Sequence, residues 1–242
     1  MQTVLKVSHL KKNFGAKTVH RDISFELKKS ETVGLLGNSG TGKSVLLRCL
    51  IGLETMDDGE VYFNQTRIDL WEEEELFELR TKMSYAFQSG ALFDSLSVYE
   101  NIAYPVREHL KLSAAEEEKL VMDVLRLVRM EEAAHLFPSD LSGGMQKRAG
   151  LARAMVLKPE IILYDEPTAG LDPVNVENVL DIMNTFKKRG VGGIFVTHDI
   201  PAAKKVCDRL LLVDNGKIVF SGGIREFEES TDPVVQKFNM AQ

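Results

Sequence analysis

The alternation of apolar and polar positions predicts that the amino-terminal part of the chain is rich in β-strands. The runs with strand character span Thr3 to Ser8, Ile23 to Leu27 and Thr32 to Leu36, with turns at Phe14-Gly15 and Lys29-Ser30. Apolar residues then recur at helical spacing from Ser44 to Leu53, and this pattern stops at Gly52, which favours a short helix packed on a sheet. Residues 60–70 again have strand character, and the acidic run Glu72 to Glu75 after them indicates the solvated face of a helix.

Between Tyr85 and Leu141 the pattern changes to helices that begin at polar residues. Ser97 with Glu100, and Ser113 with Glu116, match the capping box. In that motif an N-cap hydroxyl and a carboxylate one turn later satisfy each other's free backbone donors. The stretch therefore predicts an inserted helical subdomain.

The carboxyl-terminal half alternates buried strands with helices, which is typical of a parallel α/β sheet. Ile161 to Tyr164 and Ile194 to Thr197 are short, apolar strand patterns. Asp172-Pro173 predicts a helix start between them, with proline at the first helical position. Further along, residues 210–220 predict a hairpin with a type I′ turn at Asn215-Gly216.

Composition narrows the classes of function. A chain of 242 residues with 44% hydrophobic and 27% charged residues suits one α/β domain with a small insertion. The formal charge of −6 argues against nucleic acid as the main partner, because phosphate backbones are bound by basic surfaces. Cys49 and Cys207 both lie in apolar helical patterns, so they indicate core residues in a reducing compartment rather than a disulfide or a metal site. No stretch approaches the roughly 18 to 20 apolar residues that span a bilayer, so any work at a membrane requires another chain.

The strongest chemical signal is the segment GNSGTGKS, which follows the strand pattern that ends at Leu36. A strand, a glycine-rich loop, a lysine and a helix in this order surround phosphate oxygens with backbone N–H groups. Lys43 would neutralise β- and γ-phosphate charge, and the Ser44 hydroxyl would ligate magnesium. The predicted nucleotide-binding residues of this loop are Gly37, Asn38, Ser39, Gly40, Thr41, Gly42, Lys43 and Ser44.

Three further sites complete a hydrolytic hypothesis. In YDEP, Asp165 can hold magnesium through water, and Glu166 can polarise the attacking water. Gln88 can sense the γ-phosphate and join the metal ligands Ser44 and Asp165, because an amide both accepts and donates. His198 can donate to a γ-phosphate oxyanion near neutral pH. Alone, the acidic pair could be a capped turn, the glutamine a surface residue and the histidine a structural one; beside a phosphate-binding loop the catalytic interpretation is favoured.

A second phosphate-facing surface changes the class of the protein. Ser142-Gly143-Gly144 begins a predicted helix from Met145 to Leu157, so the free N–H groups and the serine hydroxyl form an anion site. Within one chain the phosphates are already bound by the first loop. The simplest arrangement is a head-to-tail pair with two-fold symmetry, in which each ATP lies between one subunit's loop and its partner's Ser-Gly-Gly.

Together these motifs resemble the ATPase subunit of an ABC transporter along nearly the whole chain. The motifs in order are GNSGTGKS, Gln88, LSGG, YDEP, the AGLD turn at residues 169–172 and His198. The resemblance implies one domain over residues 1–242 with a RecA-like P-loop NTPase core. It places the core and an antiparallel β subdomain in residues 1–86 and 158–242, the helical subdomain and its signature motif in 87–157, and a carboxyl-terminal tail in 226–242.

The resemblance also implies individual roles. Phe14 would stack on adenine, Asp172 would lie at the dimer interface, and Glu166 would be the catalytic base with His198 as its switch partner. Many family members have tyrosine where this chain has Phe14, and glutamine directly after Ser-Gly-Gly where this chain has Met145. Neither departure removes a catalytic group.

A narrower resemblance concerns cargo. Residues 87–109, FQSGALFDSLSVYENIAYPVREH, together with LSGGMQKRAGLARA, are similar to the ATPase of Mla-type and Mce-associated lipid transporters, which move phospholipid between the bacterial inner and outer membranes. TDPVVQKF at residues 231–238 resembles that group's tail, which reaches toward the neighbouring ATPase subunit. The resemblance implies a groove around residues 89–108 for a membrane permease, and location on the cytoplasmic face of the inner membrane. A small regulatory subunit and a lipid-binding Mce-type protein are further expected partners.

Four alternatives to these interpretations exist. Residues 89–108 could be packing residues shared by many ABC ATPases, and the chain could serve a small-solute importer, such as one for polar amino acids. A soluble ABC ATPase acting on ribosomes or DNA usually has two cassettes or a long coiled-coil insertion, and this chain has neither. A simple P-loop kinase has no use for Ser142 to Gly144.

Overall fold

In the computed structural model, which describes residues 2–240, ten strands form one continuous sheet. Their order across the sheet is β5-β4-β1-β2-β10-β9-β3-β8-β7-β6. The strands are β1 (Thr3–Phe14), β2 (Lys17–Lys28), β3 (Thr32–Leu36), β4 (Asp58–Phe63), β5 (Thr66–Arg67), β6 (Met83–Ala86), β7 (Ile161–Asp165), β8 (Gly192–Val196), β9 (Arg209–Asp214) and β10 (Lys217–Gly223).

The sheet has a parallel part and an antiparallel part. Strands β9, β3, β8, β7 and β6 pair in parallel, whereas β2, β1, β4 and β5 pair antiparallel. Strand β10 joins the two parts, because it is antiparallel to β9 and pairs with β2 at Lys217 and Asp22. The predicted α/β class, with a parallel core and an antiparallel β part, is confirmed.

Helices flank the parallel strands and also form the segment between β6 and β7. They are α1 (Lys43–Leu50), α2 (Glu73–Lys82), α3 (Val98–His109), α4 (Ala114–Leu127), α5 (Gly143–Met155), α6 (Pro173–Lys188), α7 (Ile200–Val206), α8 (Ile224–Glu228) and α9 (Pro233–Met240). Short 3₁₀ turns occupy Glu131–Ala133 and Pro138–Asp140. Among the described residues, none of these helices has the length and apolar character needed to cross a membrane.

Both predicted capping boxes are present at the starts of α3 and α4. The Ser97 hydroxyl accepts from Glu100 N at 3.2 Å, and the Glu100 carboxylate accepts from Ser97 N at 2.8 Å. Ser113 and Glu116 make the same reciprocal pair, at 3.4 and 2.8 Å. Each box satisfies backbone donors that have no partner within the helix, and so fixes where the helix begins.

Alternation of side chains across the parallel strands divides the core into two layers. On β7, Leu163 faces the layer that contains β1, β2, α1 and α2, whereas Ile162 and Tyr164 face the layer that contains α3 to α7. On β3, Leu35 and Leu36 divide in the same way. Because successive strand residues point to opposite faces, a fully apolar strand is buried on both sides.

Some predicted boundaries were wrong by a few residues. Strands β1 and β2 each extend over twelve residues, because they pair along nearly their whole length around the turn at Gly15. Helix α5 begins at Gly143 rather than Met145 and ends at Met155. Within the predicted tail, α9 packs on its own chain through Val235 and Phe238, which are buried in the layer of α3 to α7. Contact of the tail with a neighbouring subunit stays a prediction.

This topology brings the sequence motifs to one edge of the sheet. Strands β3, β8, β7 and β6 are consecutive neighbours and parallel, so their carboxyl ends lie side by side. The glycine loop follows β3, Glu166 follows β7, His198 follows β8 and Gln88 follows β6. Crevices outside the carboxyl ends of parallel strands are the usual binding sites of α/β sheets.

Candidate functional site

A cleft of about 520 Å³ lies at this edge of the sheet, between the glycine loop, the end of β1 and the ends of β6 and β7. Its size is in the range of small-molecule binding sites. Asp165, His198, Asp172 and the Ser-Gly-Gly residues are not among its lining residues. The predicted site residues that line it come from the end of β1, the glycine loop and the ends of β6 and β7. They are Phe14, Ser39, Gly40, Gly42, Lys43, Ser44, Gln88 and Glu166.

The glycine loop closes around the Lys43 side chain. The Lys43 Nζ donates to the carbonyl oxygens of Gly37 at 2.7 Å and Asn38 at 3.0 Å. Asn38 O also accepts from the hydroxyl of Thr41 at 2.9 Å, which tightens the turn. Burial lowers the pKa of Lys43, although the nearby carboxylates of Glu166 and Asp165 oppose that shift. A partly desolvated ammonium group at the base of the loop is suited to interact with phosphate oxygens.

The predicted metal ligands Ser44 and Asp165 are in direct contact. The Ser44 hydroxyl donates to Asp165 Oδ1 at 2.7 Å, although the two residues are far apart in sequence. Gln88 is exposed and lines the same cleft. Hydroxyl, carboxylate and amide oxygens are the hard donors that Mg²⁺ prefers.

The donor set also fits the way in which magnesium binds beside phosphates. Within residues 2–240, no group of three or more His, Cys, Asp or Glu side chains is arranged to hold a metal ion. Mg²⁺ usually binds through one or two protein ligands together with waters and substrate phosphates, rather than in a cage made only of protein groups. Ser44, Asp165 and Gln88 therefore fit a magnesium ion shared with a nucleotide.

Tyr85 is a member of the site that the sequence motifs did not indicate. Its hydroxyl donates to Asp165 Oδ2 at 2.7 Å, so the two carboxylate oxygens of Asp165 have different partners. Burial, reinforced by the hydrogen bond to Asp165, raises the pKa of Tyr85. The phenol therefore stays protonated and remains a donor. No sequence motif marks Tyr85. It reaches Asp165 because it lies on β6 opposite Leu163 of β7, and this register is visible only in the structure.

Glu166 and His198 lie side by side at the ends of β7 and β8. His198 Nδ1 is 3.8 Å from Glu166 Oε2, and the two side chains are 58% and 24% exposed, respectively. Glu166 has a φ of 46°, a left-handed conformation that is rare for this residue type. Residues in such strained conformations cluster at functional sites. Its backbone N–H donates to Val196 O of β8 at 3.1 Å, which anchors this conformation to the sheet. The pair can hold a water for proton transfer at the mouth of the cleft.

Phe14 ends β1 and leaves 44% of its surface exposed at the cleft. The Lys12 ammonium lies 4.7 Å from the centroid of the Phe14 ring. Lys12 is itself buried and held by Glu54, whose Oε1 is 2.8 Å from Nζ. One part of the ring is therefore covered by a fixed cation, while its exposed part is available for stacking. The sequence did not indicate Lys12 or Glu54.

The Ser-Gly-Gly surface lies outside the cleft of its own chain. Ser142 is the N-cap of α5, where its hydroxyl accepts from Met145 N at 3.3 Å, and both Ser142 and Gly143 are exposed. At Gly144, an added Cβ would lie 2.6 Å from Asn175 Oδ1, so any larger residue would displace the Asn175 side chain of α6. None of Ser142, Gly143, Gly144 and Asp172 is among the described residues that line the cleft.

Asp172 is linked to this surface through the same asparagine. Its carboxylate caps α6 by accepting from the N–H groups of Val174 and Asn175, each at 3.0 Å. The Asn175 side chain also donates to Asp172 Oδ2 at 2.5 Å, and these bonds lower the pKa of Asp172. The helix starts of α5 and α6 thus form one continuous exposed surface. The Lys147 ammonium of α5 contacts the Ala169 carbonyl and joins this surface to the turn that follows Glu166.

Comparison with known proteins agrees with the geometry of the site. Residues 20–169 match the sequence profile of the protein family described as ABC transporter. The chain is 41% identical, over 94% of its length and 70% of the relative, to the Arabidopsis thaliana protein named TRIGALACTOSYLDIACYLGLYCEROL 3, chloroplastic. It is 36% identical to the intermembrane phospholipid transport system ATP-binding protein MlaF of Escherichia coli, over 93% of this chain and 84% of that one.

A third relative has a name that indicates a different cargo. It is the probable ribonucleotide transport ATP-binding protein mkl of Mycobacterium leprae, 40% identical over 98% of this chain and 69% of the relative. Among solved structures, the dimeric post-hydrolysis state of an ATP-binding cassette bound to ADP and Pi has a TM-score of 0.85 and 28% identity. That match covers 91% of this chain and 99% of the solved one.

Proposed function

The chain belongs to the ABC transporter family, and from this premise we propose that it is the ATP-hydrolysing motor subunit of a transporter that moves phospholipid between bacterial membranes. ATP hydrolysis follows from the family. The observation that supports the chemical roles is the single cleft that joins the glycine loop to Glu166, Gln88 and Phe14, with buried Asp165 bonded to Ser44 of that loop.

In the proposed reaction, Phe14 stacks on the adenine base and the loop of residues 37–44 binds the phosphates. Lys43 moves from the loop carbonyls to the β- and γ-phosphate oxygens, which are stronger acceptors because they are charged. Ser44, Asp165 and Gln88 would hold Mg²⁺, which when bound neutralises the charge that develops on the phosphate oxygens.

Glu166 acts as the general base. Its carboxylate takes a proton from a water whose oxygen forms the new bond to the γ-phosphorus, while the bond from that phosphorus to the β–γ bridging oxygen breaks. The products are ADP and inorganic phosphate. His198, which lies 3.8 Å from Glu166, orients this base and contacts the γ-phosphate.

A second copy of the chain completes each site in this proposal. Ser142, Gly143 and Gly144 form an anion-binding helix start that does not face the cleft of its own chain. Two-fold pairing brings this surface to the partner's ATP, with Asp172 at the same interface. The solved relative with the same fold is dimeric with bound ADP and Pi, and this supports the arrangement.

A separate permease is the second expected partner. The segment of residues 87–109 exposes a set of aromatic side chains, with the Phe93 and Tyr104 rings 5.2 Å apart and 46% and 45% exposed. Exposed apolar clusters of this kind mark surfaces for partner proteins. Buried Asn101 holds the loop below them through bonds to Phe93 N at 2.7 Å and Leu96 O at 3.0 Å. We place the chain on the cytoplasmic face of a bacterial inner membrane, with a small regulatory subunit and a lipid-binding Mce-type protein as additional partners.

The names of two relatives support lipid as the cargo. The name of the Arabidopsis thaliana relative includes the name of a galactosyl diacylglycerol lipid, and that of the Escherichia coli relative includes the words intermembrane phospholipid transport. The second candidate is a polar small solute, which the ribonucleotide in the name of the mycobacterial relative supports. The permease and its binding proteins select the cargo, so the site geometry of the ATPase is compatible with both.

Purification of the chain with its native membrane partner, followed by mass spectrometry of bound small molecules, separates the two candidates. The lipid proposal predicts phospholipid that co-purifies with the complex above the level of a detergent-matched control. A Lys43→Ala complex is the matched control for ATP dependence, since cargo release should stop in it. Co-purified nucleotide or amino acid without phospholipid, together with a solute-importer permease, would overturn the lipid assignment.

A further inference from the structure

A buried histidine lies directly beneath the glycine loop. His20 is on β2, in the antiparallel part of the sheet, and its side chain is fully buried, with 0% exposure. Its Nε2 atom is 3.1 Å from the carbonyl oxygen of Gly42, the last residue before α1. The ring therefore connects the β subdomain to the phosphate-binding loop.

The Gly42 carbonyl has a defined part in the loop. It also accepts from Leu46 N at 2.9 Å, so it makes the first hydrogen bond of α1. The described residues contain no cis peptide bond, and in a planar trans peptide the C=O and N–H groups point in opposite directions. The Lys43 N–H of the same peptide therefore points away from the helix, toward the mouth of the loop, where a phosphate oxygen would accept from it.

The loop backbone rests directly on β2 at this point. Gly42 has a φ of 90°, and a Cβ added there would lie 2.3 Å from Val19 Cγ1 and 2.9 Å from His20 Cε1. Only glycine permits both this conformation and this approach. Nothing separates the ring of His20 from the peptide that it contacts, so a change at His20 reaches the loop directly.

The hydrogen bond also fixes the form of the imidazole ring. A carbonyl oxygen only accepts, so Nε2 carries the proton, and Nδ1 has no hydrogen-bond partner among the described residues. Burial lowers the pKa of His20, which keeps the ring neutral. A leucine would fill a similar volume without burying an unsatisfied nitrogen. A polar group retained at a cost to stability is typical of a functional position.

We propose that His20 is a positioning residue of the phosphate site: by donating from Nε2 to Gly42 O, it holds the Gly42–Lys43 peptide in the orientation that directs the Lys43 N–H toward a bound phosphate. The inference rests on the proposed role of the loop in ATP binding. It makes His20 part of the coupling between the β subdomain, which carries Phe14, and the phosphate loop.

Two substitutions separate positioning from packing. His20→Leu keeps the volume and removes the donor, whereas His20→Gln places an amide nitrogen at nearly the reach of the imidazole Nε2. We expect His20→Leu to raise the KM for ATP by about three- to tenfold, the effect of one hydrogen bond, with little change in melting temperature. His20→Gln should restore most of the affinity. The matched control is exposed His135→Gln, which should leave KM unchanged.

Each outcome decides between the interpretations. A KM for His20→Leu equal to that of the wild type, or a His20→Gln variant as impaired as His20→Leu, overturns the positioning role. If His20→Leu does not fold, ¹⁵N NMR of histidine-labelled wild type provides the test, because the proposal requires the proton on Nε2, and a proton on Nδ1 overturns it. If the wild type shows no ATP-dependent activity, or Lys43→Ala leaves it unchanged, the proposed ATP site itself fails, which is a separate result.

Discussion

The hydroxyl of Tyr85 donates to one carboxylate oxygen of Asp165 at 2.7 Å, while Ser44 donates to the other oxygen at 2.7 Å. The carboxylate is therefore held from both sides, from β6 and from the start of α1. A metal ligand whose own orientation is fixed by hydrogen bonds binds its ion better than a free one.

Removal of the Tyr85 hydroxyl tests this relationship. In Tyr85→Phe we expect the Mg²⁺ concentration for half-maximal ATPase activity to rise by about three- to tenfold, since one hydrogen bond that orients Asp165 is lost. A magnesium titration at saturating ATP measures the change. Tyr99→Phe is the control, because its hydroxyl contacts Glu117 at 3.3 Å in the helical subdomain. An unaltered magnesium titration in Tyr85→Phe would show that Ser44 alone is sufficient.

The sequence predicted the ligands of this site but not the residues that hold them. Ser44 and Asp165 each belong to a contiguous motif with its own chemical signal, so each could be identified as a magnesium ligand without knowledge of the strand order. Tyr85 reaches Asp165 only because β6 pairs in parallel with β7. That register depends on tertiary packing, and an apolar strand pattern has no signal for it.

In the fold too, features set by neighbouring residues could be predicted, and features set by tertiary pairing could not. Helix starts at Ser97, Ser113 and Asp172 were predicted correctly, because capping depends on residues within one turn. The full lengths of β1 and β2 were not, because the two strands stabilise each other through pairing across a turn. The subdomain boundaries and the individual roles of the site residues stay predictions.

Glu166→Gln tests the general base. The amide keeps the shape of the side chain but accepts a proton poorly, so we expect ATP hydrolysis to fall by about 100-fold or more while ATP binding persists. Gel filtration with ATP should then reveal a longer-lived dimer. Exposed Glu118→Gln is the control and should behave as the wild type. Hydrolysis close to the wild-type rate in Glu166→Gln would exclude this residue as the base.

Substitutions at the two glycines of the Ser-Gly-Gly surface distinguish an effect on folding from an effect on the dimer. An added Cβ at Gly144 would lie 2.6 Å from Asn175, whereas at Gly143 it meets nothing within 4 Å in the same chain. Gly144→Ala should therefore lower the melting temperature, and Gly143→Ala should not. If the partner's ATP lies against Gly143, Gly143→Ala should still reduce ATP-dependent dimerisation and ATPase activity. Full activity in Gly143→Ala would argue against a shared site.

Substitution of Asn101 tests whether this residue stabilises the loop of residues 93–96, which is proposed to face the permease. The buried Asn101 side chain accepts a hydrogen bond from Phe93 N at 2.7 Å and donates to Phe93 O at 3.1 Å and to Leu96 O at 3.0 Å. In Asn101→Ala these backbone groups lose their partner, so the free energy of unfolding should fall by about 2 kcal/mol or more. Urea denaturation measures the loss. Asn178→Ala removes one exposed bond to Arg129 and should change stability by less than about 0.5 kcal/mol.

The pH dependence of stability provides a last test of His20, independent of ATP. Burial lowers the pKa of His20 in the folded state, and only the bond to Gly42 opposes this. Below about pH 6.5 the unfolded chain then binds a proton that the folded chain does not, so this residue makes stability fall as pH falls. Above that pH the contribution is constant. The free energy of unfolding of wild type minus that of His20→Leu should therefore decrease by up to about 1.4 kcal/mol per pH unit below pH 6.5, until the folded-state pKa is reached. Denaturant titrations of both proteins between pH 5 and pH 8 measure this difference, and parallel curves would mean that His20 has the same pKa in the folded and the unfolded protein.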